Sequence, residues 1–314
     1  MSAGRRGLGI LMVAAAFLGM GCGNRPATPE VPLDRYNSGT IHISCDESFK
    51  PVIDAQVAVY ESQFPDTKII VHYKPEAECL RDFLVDSIRM VIATRGFSAN
   101  EDLKIVDSLK LEPQKLTVAR DAVAVVVNRN ATDTIFNMAE LRALLSGSGK
   151  ESLIPVFDGT KATSTVRFML DSVLRGGQLS PKVSAAQSST GVIDYVSRVP
   201  NAVGFVGFSW IGAGDDTAQV ARRKKVRLAW IESTDSTGGY VMPSQYTIYT
   251  GSYPMVRDLV YVLKERHQGL GHAFARFLAQ SDKGQLIFRR SYLMPVINTQ
   301  YIRDARLNDS IPGQ

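Results

Sequence analysis

Three observations in the sequence predict an α/β protein built on a mainly parallel sheet. Between Ile41 and Thr94, short apolar runs alternate with helical periods as strand–helix–strand–helix–strand, and parallel neighbours need crossovers of that kind. Asp121 to Asn128 (DAVAVVVN) is a near-continuous β-branched run, the composition of a strand buried on both faces. Val166, Met169, Leu170, Val173 and Leu174 form an i, i+3, i+4, i+7, i+8 stripe closed by Gly176-Gly177, one buried face of a helix.

The elements follow in chain order. Residues 1–21 read as a secretory signal: Arg5 and Arg6 give a positive start, and Leu8 to Met20 is almost wholly apolar or small. That run of about 13 residues is short of the ~20 that span a bilayer. Leu18-Gly19-Met20-Gly21-Cys22 resembles a bacterial lipoprotein cleavage box with Cys22 as the lipidated residue. The segment 22–39 carries three prolines and no period, the composition of an extended tether.

The body then opens with a strand at Ile41 to Ser44. A helix follows with Phe49, Val52, Ile53, Val57, Tyr60 and Phe64 on its buried face, ended by Pro65-Asp66. Strands are predicted at Lys68 to Tyr73 and Met90 to Thr94, with a helix at Cys79 to Ile88 between them. After the run at 121–128 come a helix at Met138 to Leu145, stopped by Gly147 and Gly149, a strand at Leu153 to Phe157, and the helix from Ser164. A helix at Gly191 to Val199, strands at Ala202 to Val206 and Val226 to Ile231, the segment Val256 to Lys264, and helices at Gly271 to Leu278 and Gly284 to Arg290 complete the pattern. Arg222-Arg223-Lys224-Lys225 reads as a solvated hairpin or strand entry, with transporter docking as its functional alternative.

Composition narrows the function. With 45% hydrophobic and 21% charged residues in 314, the chain is globular. A net charge of +5 and two Trp argue against a nucleic-acid binder. Three Cys cannot build a disulfide scaffold, and His42, His72, His267 and His272 are scattered without metal-ligand spacing. Ser146-Gly147-Ser148-Gly149-Lys150 fails as a phosphate loop, because Leu144 and Glu151 stand where Gly and Ser/Thr are required. The G-x-S-x-G elbow fails at Ile211. No catalytic set, metal site or cofactor is predicted.

Two strand–turn–helix units remain, Ser44-Cys45-Asp46-Glu47-Ser48-Phe49 and Phe157-Asp158-Gly159 through Thr163-Ser164-Thr165. Ligands of open α/β sheets lie beyond the strands' carboxyl ends, where helix N-termini present free N–H groups to anions. The hydroxyls there either cap the helices alone or also contact an oxyanion.

Along Thr40 to Val296 the sequence resembles the PstS-like phosphate-binding lipoproteins of bacterial ABC transporters, the type II branch of the periplasmic binding-protein superfamily. The markers are Asp46-Glu47-Ser48-Phe49, Ile92-Ala93-Thr94-Arg95 with Glu101, Ala119-Arg120-Asp121 through Asn128, and Leu141 to Gly147. Val203-Gly204-Phe205-Val206, Tyr253-Pro254-Met255-Val256-Arg257 and Gly284-Gln285 continue the series. The resemblance implies two lobes, each a mainly parallel sheet flanked by helices: 40–118 with 250–314, and 119–249 between them. It implies a monomer that captures inorganic phosphate or a similar oxyanion and delivers it to an ABC permease from the periplasmic or outer surface of a membrane. The alternative is the same fold binding another oxyanion or acting as a non-transport sensor or envelope scaffold.

Residue by residue, the family's first-lobe contact falls on Ser48 and Phe49, and its Ser-Gly-Thr cluster on Thr163, Ser164 and Thr165, without the Gly. Its arginine upstream of that cluster has no counterpart at Phe157-Asp158, so the positive charge is expected from Arg95 or Arg167. Arg95 stands where some members carry an Asp that accepts the phosphate's proton, which leaves Asp46, Glu47, Glu78 or Asp158 as acceptors. Cys45 and Cys79 each follow a strand, either bonded or as two buried thiols.

Overall fold

The computed structural model describes residues 34–297 apart from 151, 160–162, 213, 215 and 236–237. The expected signal segment, Cys22 and most of the tether therefore lie outside the described residues. No helix among the described residues is long and apolar enough to cross a membrane.

Strand β1 (Gly39–Asp46) buries Ile41, Ile43 and Cys45 with Val52, Ile53 and Tyr60 of α1 (Lys50–Gln63). Pro51 sits in the first turn of α1, where a missing N–H breaks no helical bond. β2 (Thr67–Lys74), α2 (Glu76–Asp82) and β3 (Ile88–Ala93) follow, and both β2 and β3 pair parallel to β1. α3 (Ala99–Leu109) begins in a reciprocal Ser98–Glu101 cap.

β4 (Gln114–Asn128) is twice the length of the run that predicts it. Only its second half is buried on both faces. Its first residues, Gln114 to Leu116, are exposed, and only Leu116 among them is apolar.

The chain continues through β5 (Ile135–Phe136), α4 (Met138–Ser146), β6 (Ile154–Phe157) and α5 (Ser164–Phe168), which runs on as a wider π-helical turn over Met169–Val173. Next are β7 (Ser184–Ala185), α6 (Ser189–Arg198), β8 (Ala202–Gly207), α7 (Thr217–Lys225) and β9 (Val226–Leu228). A small sheet uses β10 (Trp230–Glu232) and β11 (Tyr240–Val241) with β5. α8 (Gln245–Tyr249), β12 (Val256–Leu263), α9 (Leu270–Gln280), α10 (Asp282–Arg290) and β13 (Met294–Pro295) end the described chain.

The main sheet has the order β2-β1-β3-β12-β4-β8-β6-β7, with β9 and β13 also on β4. Its outer pairs, β1–β2, β1–β3, β6–β7 and β6–β8, are parallel. The central strands β12 and β4 run antiparallel to their neighbours. β4 joins the halves: Gln114 to Ala122 pair with β12, and Val123 to Val127 pair with β8.

Two large apolar cores lie on either side of this junction. One collects Ile43, Phe49, Ile53, Ala119, Leu259, Phe274 and Phe288, and the other Ala122, Val125, Leu141, Phe157, Val192 and Phe205. Tyr253 and Met255, expected with the first lobe, pack in the second core. The Tyr253 hydroxyl donates to Val123 O at 2.7 Å, and Val123 N–H donates to Met255 O at 2.9 Å. The second crossing is therefore stitched to β4 and enters the first core only beyond Met255.

Other expectations need correction. Arg222 to Lys225 form the last turn of α7 rather than a hairpin or strand entry. Four cations conceal the helical period there, yet they suit the negative end of a helix dipole. The helix expected at Cys79 to Ile88 runs from Glu76 to Asp82. Of the two alternatives for Cys45 and Cys79, the structure has the pair of free buried thiols. His42 and His72 prove adjacent across β1 and β2, 2.9 Å apart through Nδ1 and Nε2. Asp34, Glu265 and His267 also gather, but the Asp34 and Glu265 carboxylates accept the N–H groups of Leu270, Gly271 and His272 and so cap α9.

Candidate functional site

The two strand–turn–helix units meet at the junction of the cores. At the end of β1, the Asp46 carboxylate accepts Ser48 N–H at 3.1 Å and shapes the short turn Glu47–Phe49. That turn delivers Ser48, which is buried, toward the other half. Across the gap, Thr163 caps α5 through Val166 N–H at 3.3 Å and sets Ser164 at the helix start. The Ser48 and Ser164 hydroxyls lie 3.2 Å apart, although 116 residues separate them in the chain.

Between the units sits Arg257, carried by β12 and 5% exposed. Its Nη1 donates to Ser164 Oγ at 2.9 Å and to Thr165 Oγ1 at 3.4 Å. Nε and Nη2 both donate to Asp121 Oδ2, at 3.1 and 2.9 Å. The guanidinium carbon stands 5.1 Å from the centre of the Phe49 ring, so Phe49 supplies a cation–π floor. Gly207 makes this packing possible, because a Cβ there would lie 2.8 Å from Arg257 Nη2 and 3.3 Å from Ser48 O.

Further bonds close the junction. Ser209 Oγ donates to Ser48 O at 2.8 Å, and Ser189 Oγ to Glu47 Oε2 at 2.8 Å.

Carboxylates outnumber the cation. Burial pushes Asp46 up to about 7, with the Glu76 charge adding to the rise while Arg257 and the Ser164 hydroxyl oppose it. Burial likewise raises Asp121 against the pull of Arg257, and raises Glu47 and Asp158. Asp46 Oδ2 and Asp158 Oδ1 are buried with no donor at hydrogen-bond geometry. The cluster thus presents one braced guanidinium and three hydroxyls as donors, and buried carboxylate oxygens as acceptors. This arrangement suits a small oxyanion that still carries a proton.

Of the residues the sequence predicts, Ser48, Phe49, Ser164 and Thr165 come together here. Thr163 serves as the cap of α5. Arg95 lies elsewhere: it donates to Glu101 Oε2 at 2.9 Å and to Gly96 O at 3.0 Å, drawn off by a carboxylate six residues on that it helps hold at a pKa of about 2. Arg167 is also engaged outside the hydroxyl cluster, through Nε to Glu76 Oε2 at 2.5 Å. Sequence reasoning missed Arg257 and Asp121 as site residues. The available signal was a single cation, next to Asp258, in the largely apolar Val256–Leu263 strand, and an acid heading an apolar run. Buried together, each requires the other.

A family model described as "PBP superfamily domain" matches residues 32–283. The phosphate-binding protein PstS of Bacillus subtilis strain 168 is 24% identical over 314 residues, covering 94% of this chain and 95% of the relative. A crystal structure from Clostridium perfringens, assigned as a phosphate ABC transporter substrate-binding protein with bound phosphate, superposes with a TM-score of 0.66 at 17% identity, over 82% of this chain and 100% of that one. An ABC-type phosphate transport receptor from Vibrio cholerae gives 0.60 at 16% identity, over 81% and 99%. The two halves of the sheet, joined by β4 and the strand entry at Met255, are thus the two lobes of a known architecture, and the chain belongs to the PBP superfamily.

Proposed function

We propose that this protein is an extracytoplasmic solute-binding protein that captures inorganic phosphate between its lobes and delivers it to an ABC transporter. The observation that carries the reading is Arg257, braced by Asp121 and bonded to Ser164 and Thr165, with Ser48 meeting Ser164 from the other lobe. Relatives named as phosphate-binding proteins support the same ligand. The lobes are residues 40–118 with 250–314, and 119–249, except that Ala119 packs with the first core and Tyr253 and Met255 with the second, so that the crossings fall at Ala122 and Met255.

Ligand capture works by closure. An anion held by donors from both lobes favours the closed form through contacts that the open form lacks. Arg257 supplies charge, while Ser48, Ser164 and Thr165 supply directional donors. Asp46, with a free buried oxygen, accepts the proton of hydrogen phosphate and repels fully ionised sulfate when it is ionised, above its pKa of about 7. No covalent step is required. The N-terminal signal segment and Cys22 fit export and lipid anchoring at a membrane surface, and the binding unit is a monomer.

Calorimetry on the chain lacking its signal segment tests the reading with phosphate, sulfate and molybdate. Phosphate binds and sulfate does not, and Arg257→Gln weakens phosphate by about a hundredfold or more, the scale of losing a buried charge-assisted contact. A wild-type protein that takes up no phosphate removes the assignment.

A further inference from the structure

Arg167 lies one turn beyond Ser164 on α5 and reaches across to the opposite lobe. Its Nε donates to Glu76 Oε2 at 2.5 Å, and its Nη2 to Thr94 Oγ1 at 2.6 Å. Glu76 opens α2 and is 2% exposed. It is held in place by Thr94 N–H at 2.9 Å and Thr94 Oγ1 at 2.5 Å, at the end of β3. Burial alone would raise the Glu76 carboxyl, but the Arg167 hydrogen bond and charge, with Thr94, hold it below its ordinary value. The pair is therefore ionised at neutral pH.

Each partner also has a contact within its own lobe. Arg167 Nη1 donates to Asp171 Oδ2 at 3.1 Å, one turn along the same helix, and that carboxylate faces solvent. Glu76 keeps Thr94. When the lobes part, neither charge is stranded, so the bond can be made and broken without a large barrier. A permanent structural pair would lack these alternatives.

We propose that Glu76 and Arg167 are positioning residues that form a latch between the lobes, stabilising the closed form without touching the ligand. The inference rests on the closure reading above and adds to it the source of part of the closing energy. It also explains why Arg167, one of two arginines expected from the sequence to supply charge to the anion, lies outside the hydroxyl cluster.

Charge offers a clean discrimination. If Arg167 served the anion directly, Glu76→Gln would free it and remove a nearby negative charge, so phosphate would bind more tightly. A latch predicts the opposite. Glu76→Gln weakens phosphate about fivefold and Arg167→Gln about tenfold, while the double variant is no weaker than Arg167→Gln alone, because both remove one interaction. The rise in Kd comes from faster dissociation, and the preference for phosphate over sulfate is unchanged. Arg167→Lys falls between wild type and Arg167→Gln, and stands in for the latter if that variant does not fold.

Calorimetry and stopped-flow binding on wild type and the four variants read these outcomes, and small-angle scattering of each without phosphate reads the lobes directly. Glu76→Gln scatters as a more expanded particle than wild type. Tighter binding by Glu76→Gln, or additive losses in the double variant, overturns the latch. If wild type takes up no phosphate, the functional reading falls and scattering alone decides: expansion supports the latch, and identical curves overturn it.

Discussion

Arg257 is the residue on which the site turns. A guanidinium this deeply buried persists only with a counter-charge, and Asp121 is fully buried beside it at 2.9 Å. Asp121→Asn leaves the cation without its partner and destabilises the fold by about 3–5 kcal/mol, read as a lower urea midpoint. Asp46 gives a pH signature. Its carboxyl ionises near 4 in the unfolded chain and at about 7 in the folded one, so the folded state holds the extra proton. Stability is therefore greatest at the acid side of this window, falls as pH rises from about 4 to about 7, and levels above it. Asp46→Asn, whose remaining oxygen can still cap Ser48, flattens that slope in urea titrations at pH 5 and 8. Glu47, Asp121 and Asp158 shift in the same direction, so part of the slope survives.

At this scale the sequence shows the hydroxyls but not the charge. Ser48, Ser164 and Thr165 stand at helix starts, a local signal, whereas Arg257 reaches them only because β12 pairs with β4 more than a hundred residues away in the chain. Asp121 heads the most apolar run in the protein, and nothing local marks it as the partner. Arg95 lies away from the hydroxyls for the converse reason, since a local carboxylate, Glu101, engages it.

Among the elements, β4 and α5 do most to build the site. β4 carries Asp121 at the place where its partner changes from β12 to β8, so the counter-charge sits at the junction itself. The β-branched half of the strand is legible because burial on both faces excludes polar residues, and the first half is not. α3 and α7 escape the sequence reading for a related cause. α3 buries only Ile105, leaving Leu103 and Val106 exposed, and α7 buries only Gln219, so burial gives neither a strong apolar face. β8 contributes Gly207, whose missing side chain admits Arg257. Gly207→Ala pushes a methyl to 2.8 Å from Nη2 and 3.2 Å from Asp121 Oδ2. It destabilises the fold by about 1–3 kcal/mol in urea unfolding and weakens phosphate binding with it.

For the whole molecule, the fold class was readable because alternation, periodicity and glycine stops agree over most of the chain. The expected division into lobes departs from the core packing at Tyr253 and Met255, because their packing partner, Val123, lies in another element. Closure is what unites these parts: Ser48 with Ser164, Ser189 with Glu47, Ser209 with Ser48, and Arg167 with Glu76 all span the gap. Adding phosphate should therefore compact the particle in solution, and Ser164→Ala, which deletes a hydroxyl shared by both lobes, should weaken binding by about tenfold with little loss of stability.

The most direct test is a crystal structure grown with phosphate. The anion should lie within hydrogen-bond distance of Ser48 Oγ, Ser164 Oγ and the Arg257 guanidinium, with one oxygen facing Asp46. Phosphate bound elsewhere, or a cluster that stays knitted together and excludes it, would contradict the account.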